Sequence, residues 1–187
     1  MALTQPEPLI SVEDYLEGEL TSERRHEYIG GRVYAMTGTS VAHNLIALNL
    51  AVSLRSLARS VGCQVFVSDI KIRLRVAAED IFYYPDVMLC CDPTESETYY
   101  RTRPCLIVEV LSKSTQRIDQ REKLLSYITL PSLREYLLVM QNRREVLCHR
   151  RDNNWIAERI TEGEVRLDCL DTAIPLEAIY EDVELTV

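Results

Sequence analysis

The sequence predicts a single α/β domain with a mixed central β-sheet flanked by helices, an N-terminal hairpin and antiparallel strands toward the C-terminus. Three observations point there. Short apolar runs, PDVMLCC, PCLIVEVL and EYLLVM, read as buried strands. The segment from Ser40 to Val61 carries apolar residues at helical spacing. The length, 187 residues, suits one well-buried domain and is short for two.

Taken in order, Ser11 before Val12-Glu13-Asp14 is a helix cap followed by acids, and the helix should reach about Leu20. Gly30-Gly31 between Tyr28-Ile29 and Val33-Tyr34 signals a hairpin. Ser40 caps the long helix, with Leu45, Leu48, Ala51, Val52 and Leu54 as its apolar face and Gly62 as its stop. Val65-Phe66-Val67 begins a strand. Ile70, Ile72, Leu74 and Val76 then alternate with Asp69, Lys71, Arg73 and Arg75, giving one dry and one charged face. Pro85 opens the strand through Cys91, and the polar loop DPTESETYYRTR separates it from PCLIVEVL. Ser112, Ser114 or Thr115 caps a helix whose apolar face is Leu124, Tyr127 and Ile128, closed by Pro131. EYLLVM, REVLCHR and NWIAERI read as an antiparallel meander, and IPLEAIYEDVEL as a short closing segment. There is no internal repeat, low-complexity stretch or linker.

Composition narrows the function. The net charge is -8, which argues against tight nonspecific binding to nucleic acid but leaves room for a local basic cleft. No run of about 18 apolar residues suggests a membrane span, and the acidic N-terminus lacks a signal pattern. A cytoplasmic location is expected. Six cysteines stand at 63, 90, 91, 105, 148 and 169 without a CxxC pair, and are expected to be reduced, buried thiols. Cys90 and Cys91 should face opposite sides of their strand.

Some acids fall where a core is expected. Glu109 shares a strand face with Ile107 and Leu111, and an unpaired buried carboxylate costs several kcal/mol. A wet edge, a basic partner or a shared cation would each account for it. Asp86 stands at the head of the preceding strand, so adjacent strands could bring the two carboxylates together. A divalent cation resolves their repulsion, and Mg²⁺ suits one or two carboxylates, a carbonyl and waters. Lys123, beside Leu124 and Tyr127 on the following helix, is the candidate cation for offsetting developing negative charge. Asp119, four residues before it, could form a surface pair.

Pro85-Asp86 followed by Glu109-Val110-Leu111-Ser112 resembles the PD-(D/E)XK nuclease superfamily. More narrowly, EYIGGRVYAM, His43-Asn44-Leu45-Ile46, PDVMLCC, IVEVLSKST, Asp119, Lys123, Tyr127 and EYLLV resemble the Uma-two family of restriction-endonuclease-like proteins over residues 11 to 145. The resemblance implies that residues 1–187 form one restriction-endonuclease-like domain. It implies Asp86 and Glu109 as metal ligands, the backbone carbonyl of Val110 as a further ligand, and Glu27 as an acid from the N-terminal helix. The superfamily's lysine position, two after Glu109, is Leu111 here. The resemblance implies that the lysine has moved to the following helix, at Lys123, with Lys113 and Lys71 as substitutes.

The function expected is Mg²⁺- or Mn²⁺-dependent endonucleolytic hydrolysis of DNA, with Asp86, Glu109, Lys123 and Glu27 catalytic and a homodimer as the working unit. Two alternatives are a noncatalytic nuclease-fold module for binding or self-association, and a metal-dependent hydrolase of small phosphate esters. His43 is read as structural with a lesser case for substrate contact. Arg73 and Arg75 are read as a solvated face, and Tyr99-Tyr100-Arg101 as a minor candidate for base stacking.

Overall fold

Ser11 opens the first helix, α1 (Val12–Thr21), by accepting the Asp14 N–H on its hydroxyl. The structure, a computed structural model, describes residues 8–112 and 118–185. After α1 comes the expected hairpin of β1 (His26–Ile29) and β2 (Arg32–Ala35). Both turn glycines have positive φ, at 54° and 91°, which two consecutive side-chain-bearing residues adopt only under strain. This hairpin corrects one expectation. Glu27 sits on β1, not on the N-terminal helix, because the Gly-Gly turn commits the residues before it to an extended ladder.

Helix α2 (Val41–Ser60) is capped by the Ser40 side chain and ends where Gly62 turns left-handed at φ 74°. Its buried stripe is Ile46, Leu50, Leu54 and Ala58, not the face through Leu48 and Val52. Those two are exposed. The helix is apolar on most sides, so periodicity alone does not select the stripe that meets the sheet. By length and composition it could also cross a bilayer, contrary to the expectation above, but in this fold its stripe packs in the core.

Two mixed sheets form where one was expected. The larger runs β11-β10-β9-β8-β6-β3, from β3 (Gln64–Val67), β6 (Val87–Cys90), β8 (Pro104–Leu111), β9 (Glu135–Met140), β10 (Val146–Arg150) and β11 (Glu158–Ile160). Only β8 and β9 are parallel in it; β9, β10 and β11 make the anticipated meander. The smaller sheet runs β2-β1-β5-β4-β7, adding β4 (Lys71–Val76), β5 (Glu79–Tyr83) and β7 (Tyr100–Arg101). A separate hairpin, β12 (Glu164–Leu167) with β13 (Thr172–Pro175), and α4 (Leu176–Ile179) close the chain.

The pleat sorts the core into layers. On one face of the larger sheet, Val87, Leu89, Val108 and Val110 meet α2, α4 and the C-terminal hairpin. On the other, Met88, Ile107, Leu111 and Leu138 meet Ile72, Leu74, Ile81 and Tyr83 of the smaller sheet. Behind the smaller sheet, Tyr28 and Phe82 pack on Tyr15 of α1. After β8 the chain re-enters as a π-helical segment, Ile118–Lys123, leading into the short α3 (Leu124–Tyr127). Ser114, Thr115 and Lys113 lie outside the described residues, and the Asp119 side chain is likewise not described.

Cysteine usage also departs from expectation. Cys90 and Cys91 do point into opposite layers, but Cys91 is disulfide-bonded to Cys63. The pairing arises because β3 and β6 are antiparallel neighbours, which places the residue before β3 beside the residue after β6.

One buried acid is structural. Glu19, on α1, accepts hydrogen bonds from the Tyr84 hydroxyl (2.6 Å) and the His26 backbone N–H (3.2 Å), with the His26 ring 2.8 Å away. Burial opposes its charge, but the Tyr84 and His26 hydrogen bonds prevail and hold the carboxyl below its ordinary 4.5. A folded-state value below the unfolded one adds stability above that range, and the contribution is lost as pH falls through it. Glu19→Gln is therefore expected to cost about 1–2 kcal/mol at about pH 7 and much less at about pH 3, read from urea melts.

Candidate active site

Strands β6 and β8 pair antiparallel with Val87 opposite Val108, so Asp86 and Glu109 stand opposite each other just past the last ladder pair. Glu109 keeps the parity of Ile107 and Leu111 and faces the gap between the two sheets, while Asp86, at the strand end, reaches His43 of α2 and the Val110 N–H. Glu27, with the parity of Ile29, enters that gap from β1 of the other sheet. A cavity of about 350 Å³ opens here, lined by Glu27, His43, Asp86, Glu109, Lys123 and Gln141 among others.

Lys123 fills the space between the two sheets' acids. Its ammonium lies 2.9 Å from Glu27 Oε1 and 3.3 Å from Glu109 Oε1, and 5.3 Å from the Tyr83 ring centre. Among the described residues, Glu27 Oε1 takes no hydrogen bond of proper angle despite that proximity. The attraction to the ammonium is chiefly Coulombic and does not need the angle. Tyr127, one helical turn after Lys123, donates its hydroxyl to Glu109 Oε1 at 2.9 Å. Burial first, then the Glu109 charge, drives the Tyr127 phenol well above its usual range, so it stays a donor. Leu111 is packed between the sheets, which leaves the lysine position of the superfamily motif apolar.

Asp86 is held at both oxygens. His43 Nε2 lies 2.9 Å from Oδ1, and the Val110 N–H donates to Oδ2 at 2.7 Å. In an extended strand a residue's N–H and C=O point to the same side. The Val110 carbonyl therefore turns toward the end of β6, where Asp86 stands. Each Asp86 oxygen accepts one such contact and keeps lone-pair capacity for another. Ser40, the α2 cap, donates to Gln141 Oε1 at 2.6 Å and so ties the helix start to the residue after β9.

The other candidates are elsewhere. Lys71 is buried against the rings of Tyr84, Tyr15 and Tyr99, where desolvation lowers its pKa. Arg73 pairs with Asp80 and stacks near Tyr100, and Arg101 lies over Phe66. His43, read as structural, contacts Asp86, and sequence reasoning gave Gln141 no role although it lines the same cavity. The spacing of His43 from Ser40 could have marked the first, since a residue three after a cap sits at the helix mouth; nothing marked the second. A larger groove, about 850 Å³, lies at the C-terminal hairpin, but its Arg150 is already paired with Glu135, Glu158 and Asp168.

The sequence model of the Uma2 family, described as "Putative restriction endonuclease", matches residues 12–179. The chain belongs to the Uma2 family. Among its relatives, the uncharacterised protein slr1290 of Synechocystis sp. is 36% identical over 179 residues, covering 94% of this chain and 93% of that protein. A second Synechocystis protein, sll1609, also uncharacterised, is 34% identical over 139 residues, covering 71% and 76% respectively. The fold matches a crystal structure described as "a putative nuclease belonging to DUF820" from Anabaena variabilis. The TM-score is 0.72 at 14% identity, over 91% of this Uma2 chain and 97% of the other. That likeness shows a shared fold.

Proposed function

We propose that this Uma2 protein is a Mg²⁺- or Mn²⁺-dependent endonuclease that hydrolyses phosphodiester bonds in DNA. The observation carrying the reading is the cavity lined by both Asp86 and Glu109 at an open strand end, with the Lys123 ammonium between Glu109 and Glu27. Two carboxylates and the Val110 carbonyl match the hard-oxygen donor set that Mg²⁺ takes alongside waters. Asp86, Glu109 and Val110 would hold it. When bound, the ion supplies Lewis-acid stabilisation of charge on the phosphate.

The protein's own groups do the rest. His43 and the Val110 N–H fix the direction of the Asp86 carboxylate. Tyr127 fixes Glu109. Lys123, positioned by Glu27, orients the attacking water and offsets charge on the pentavalent phosphate. With one such site per chain, a homodimer would cut both strands of a duplex.

Purified protein with supercoiled plasmid and Mg²⁺ or Mn²⁺ is expected to give nicked circles, and none in EDTA. Intact supercoils under all three conditions overturn the reading. One observation favours a noncatalytic binding module instead: among the described residues, no group of three or more His, Cys, Asp or Glu side chains stands at metal-holding spacing. Calorimetry separates the two, because a silent titration with Mg²⁺, together with no DNA affinity at low salt, fits only the module.

A further inference from the structure

The strands that carry the acids have cysteines at their other ends. β6 begins next to Asp86 and ends next to Cys91; β8 begins beside Cys105 and ends past Glu109. Cys91 is bonded to Cys63, and the Cys105 sulfur lies 3.4 Å from the Cys91 sulfur. Cys105 is thus a thiol in contact with a disulfide. Cys169 completes the group, donating its S–H to the Cys105 carbonyl at 2.9 Å and lining the open C-terminal groove.

We propose that Cys63, Cys91 and Cys105 form an intramolecular thiol–disulfide exchange site. The Cys105 thiolate attacks Cys91 Sγ. The Cys91–Cys105 bond forms as the Cys63–Cys91 bond breaks, and Cys63 leaves as a thiolate that takes up the proton Cys105 gave up. One disulfide is present before and after, so no oxidant or reductant is consumed.

The surroundings select the attacking group. Interaction with the Cys169 thiol, aided by Arg134, holds Cys105 below the ordinary thiol value, while Cys169 itself is pushed up. Only the thiolate attacks, so this favours Cys105 as nucleophile. Burial pushes Cys90 up and Cys148 up to about 12, which leaves both as bystanders. The two bonds tie different elements. Cys63–Cys91 fastens the loop after α2 to β6. Cys91–Cys105 would fasten β6 directly to β8 across the register shift at Leu89/Cys90.

The test needs no nuclease activity, so it stands or falls apart from the preceding reading. The wild type is equilibrated in glutathione buffers of graded redox ratio, quenched with iodoacetamide and mapped by nonreducing mass spectrometry, with fragmentation between Cys90 and Cys91. Both Cys63–Cys91 and Cys91–Cys105 peptides are expected in the same samples. Cys63→Ser should move all linked Cys91 to Cys105, and Cys105→Ser should leave Cys63–Cys91 alone. Should Cys105 be alkylated throughout the wild-type series, or Cys91 carry no bond at any ratio, the proposal is overturned, whether or not either variant folds.

Discussion

Asp86→Asn is expected to lower metal-dependent nicking about 100-fold or more while leaving the fold intact, since losing a ligand should cost at least what losing an outer-shell partner does. Asparagine is the informative substitution. Its amide oxygen can still accept the Val110 N–H, and its NH₂ can donate to His43 Nε2 once that ring carries its proton on Nδ1. The charge is lost and the shape is kept. Alanine would also orphan the Val110 N–H, at about 1–3 kcal/mol, and confound the two effects. Urea melts of Asp86→Asn should lie within about 1 kcal/mol of the wild type. Nicking at the wild-type rate in this variant, with melts unchanged, would remove Asp86 from the chemistry.

Lys123→Met is expected to be the most destabilising of the site substitutions. Methionine keeps most of the stem but withdraws the ammonium from between Glu27 and Glu109, whose side chains are 16% and 5% exposed. Removing one member of a buried ion pair costs about 3–5 kcal/mol. Urea melts near neutral pH check this, and a variant within about 1 kcal/mol of the wild type would mean that the ammonium adds little to stability.

Much of this arrangement was legible from local chemistry. Ser11 and Ser40 are caps because their hydroxyls satisfy the first free N–H groups, and Gly30-Gly31 is a turn because its backbone angles demand it. A carboxylate with the parity of Ile107 and Leu111 needs partners, and Lys123 and Tyr127 supply them. What stayed hidden depends on tertiary choice. The β4–β5 turn is Ala77-Ala78, at φ 49° and 72°, a left-handed pair without the usual Gly or Asn signal. With that turn unseen, residues 79–83 receive no element from the sequence, and the second sheet disappears. Glu27 was assigned to a helix by analogy, although its own neighbours specify a strand. The Cys63–Cys91 pair joins residues 28 apart, and only the pairing of β3 with β6 brings them together.

The amine's placement on a helical segment has a further consequence. Glu27 and Glu109 belong to ladders whose movement would break sheet hydrogen bonds. Lys123 instead ends a six-residue π turn and is followed by one α-helical turn, anchored by the fully buried Tyr127. Had it stood at the Leu111 position, both signs of charge would travel on one rigid strand. Here the positive partner rides on a separate carriage, so its reach into the gap can be retuned by substitutions in that short segment while the negative pair keeps its spacing.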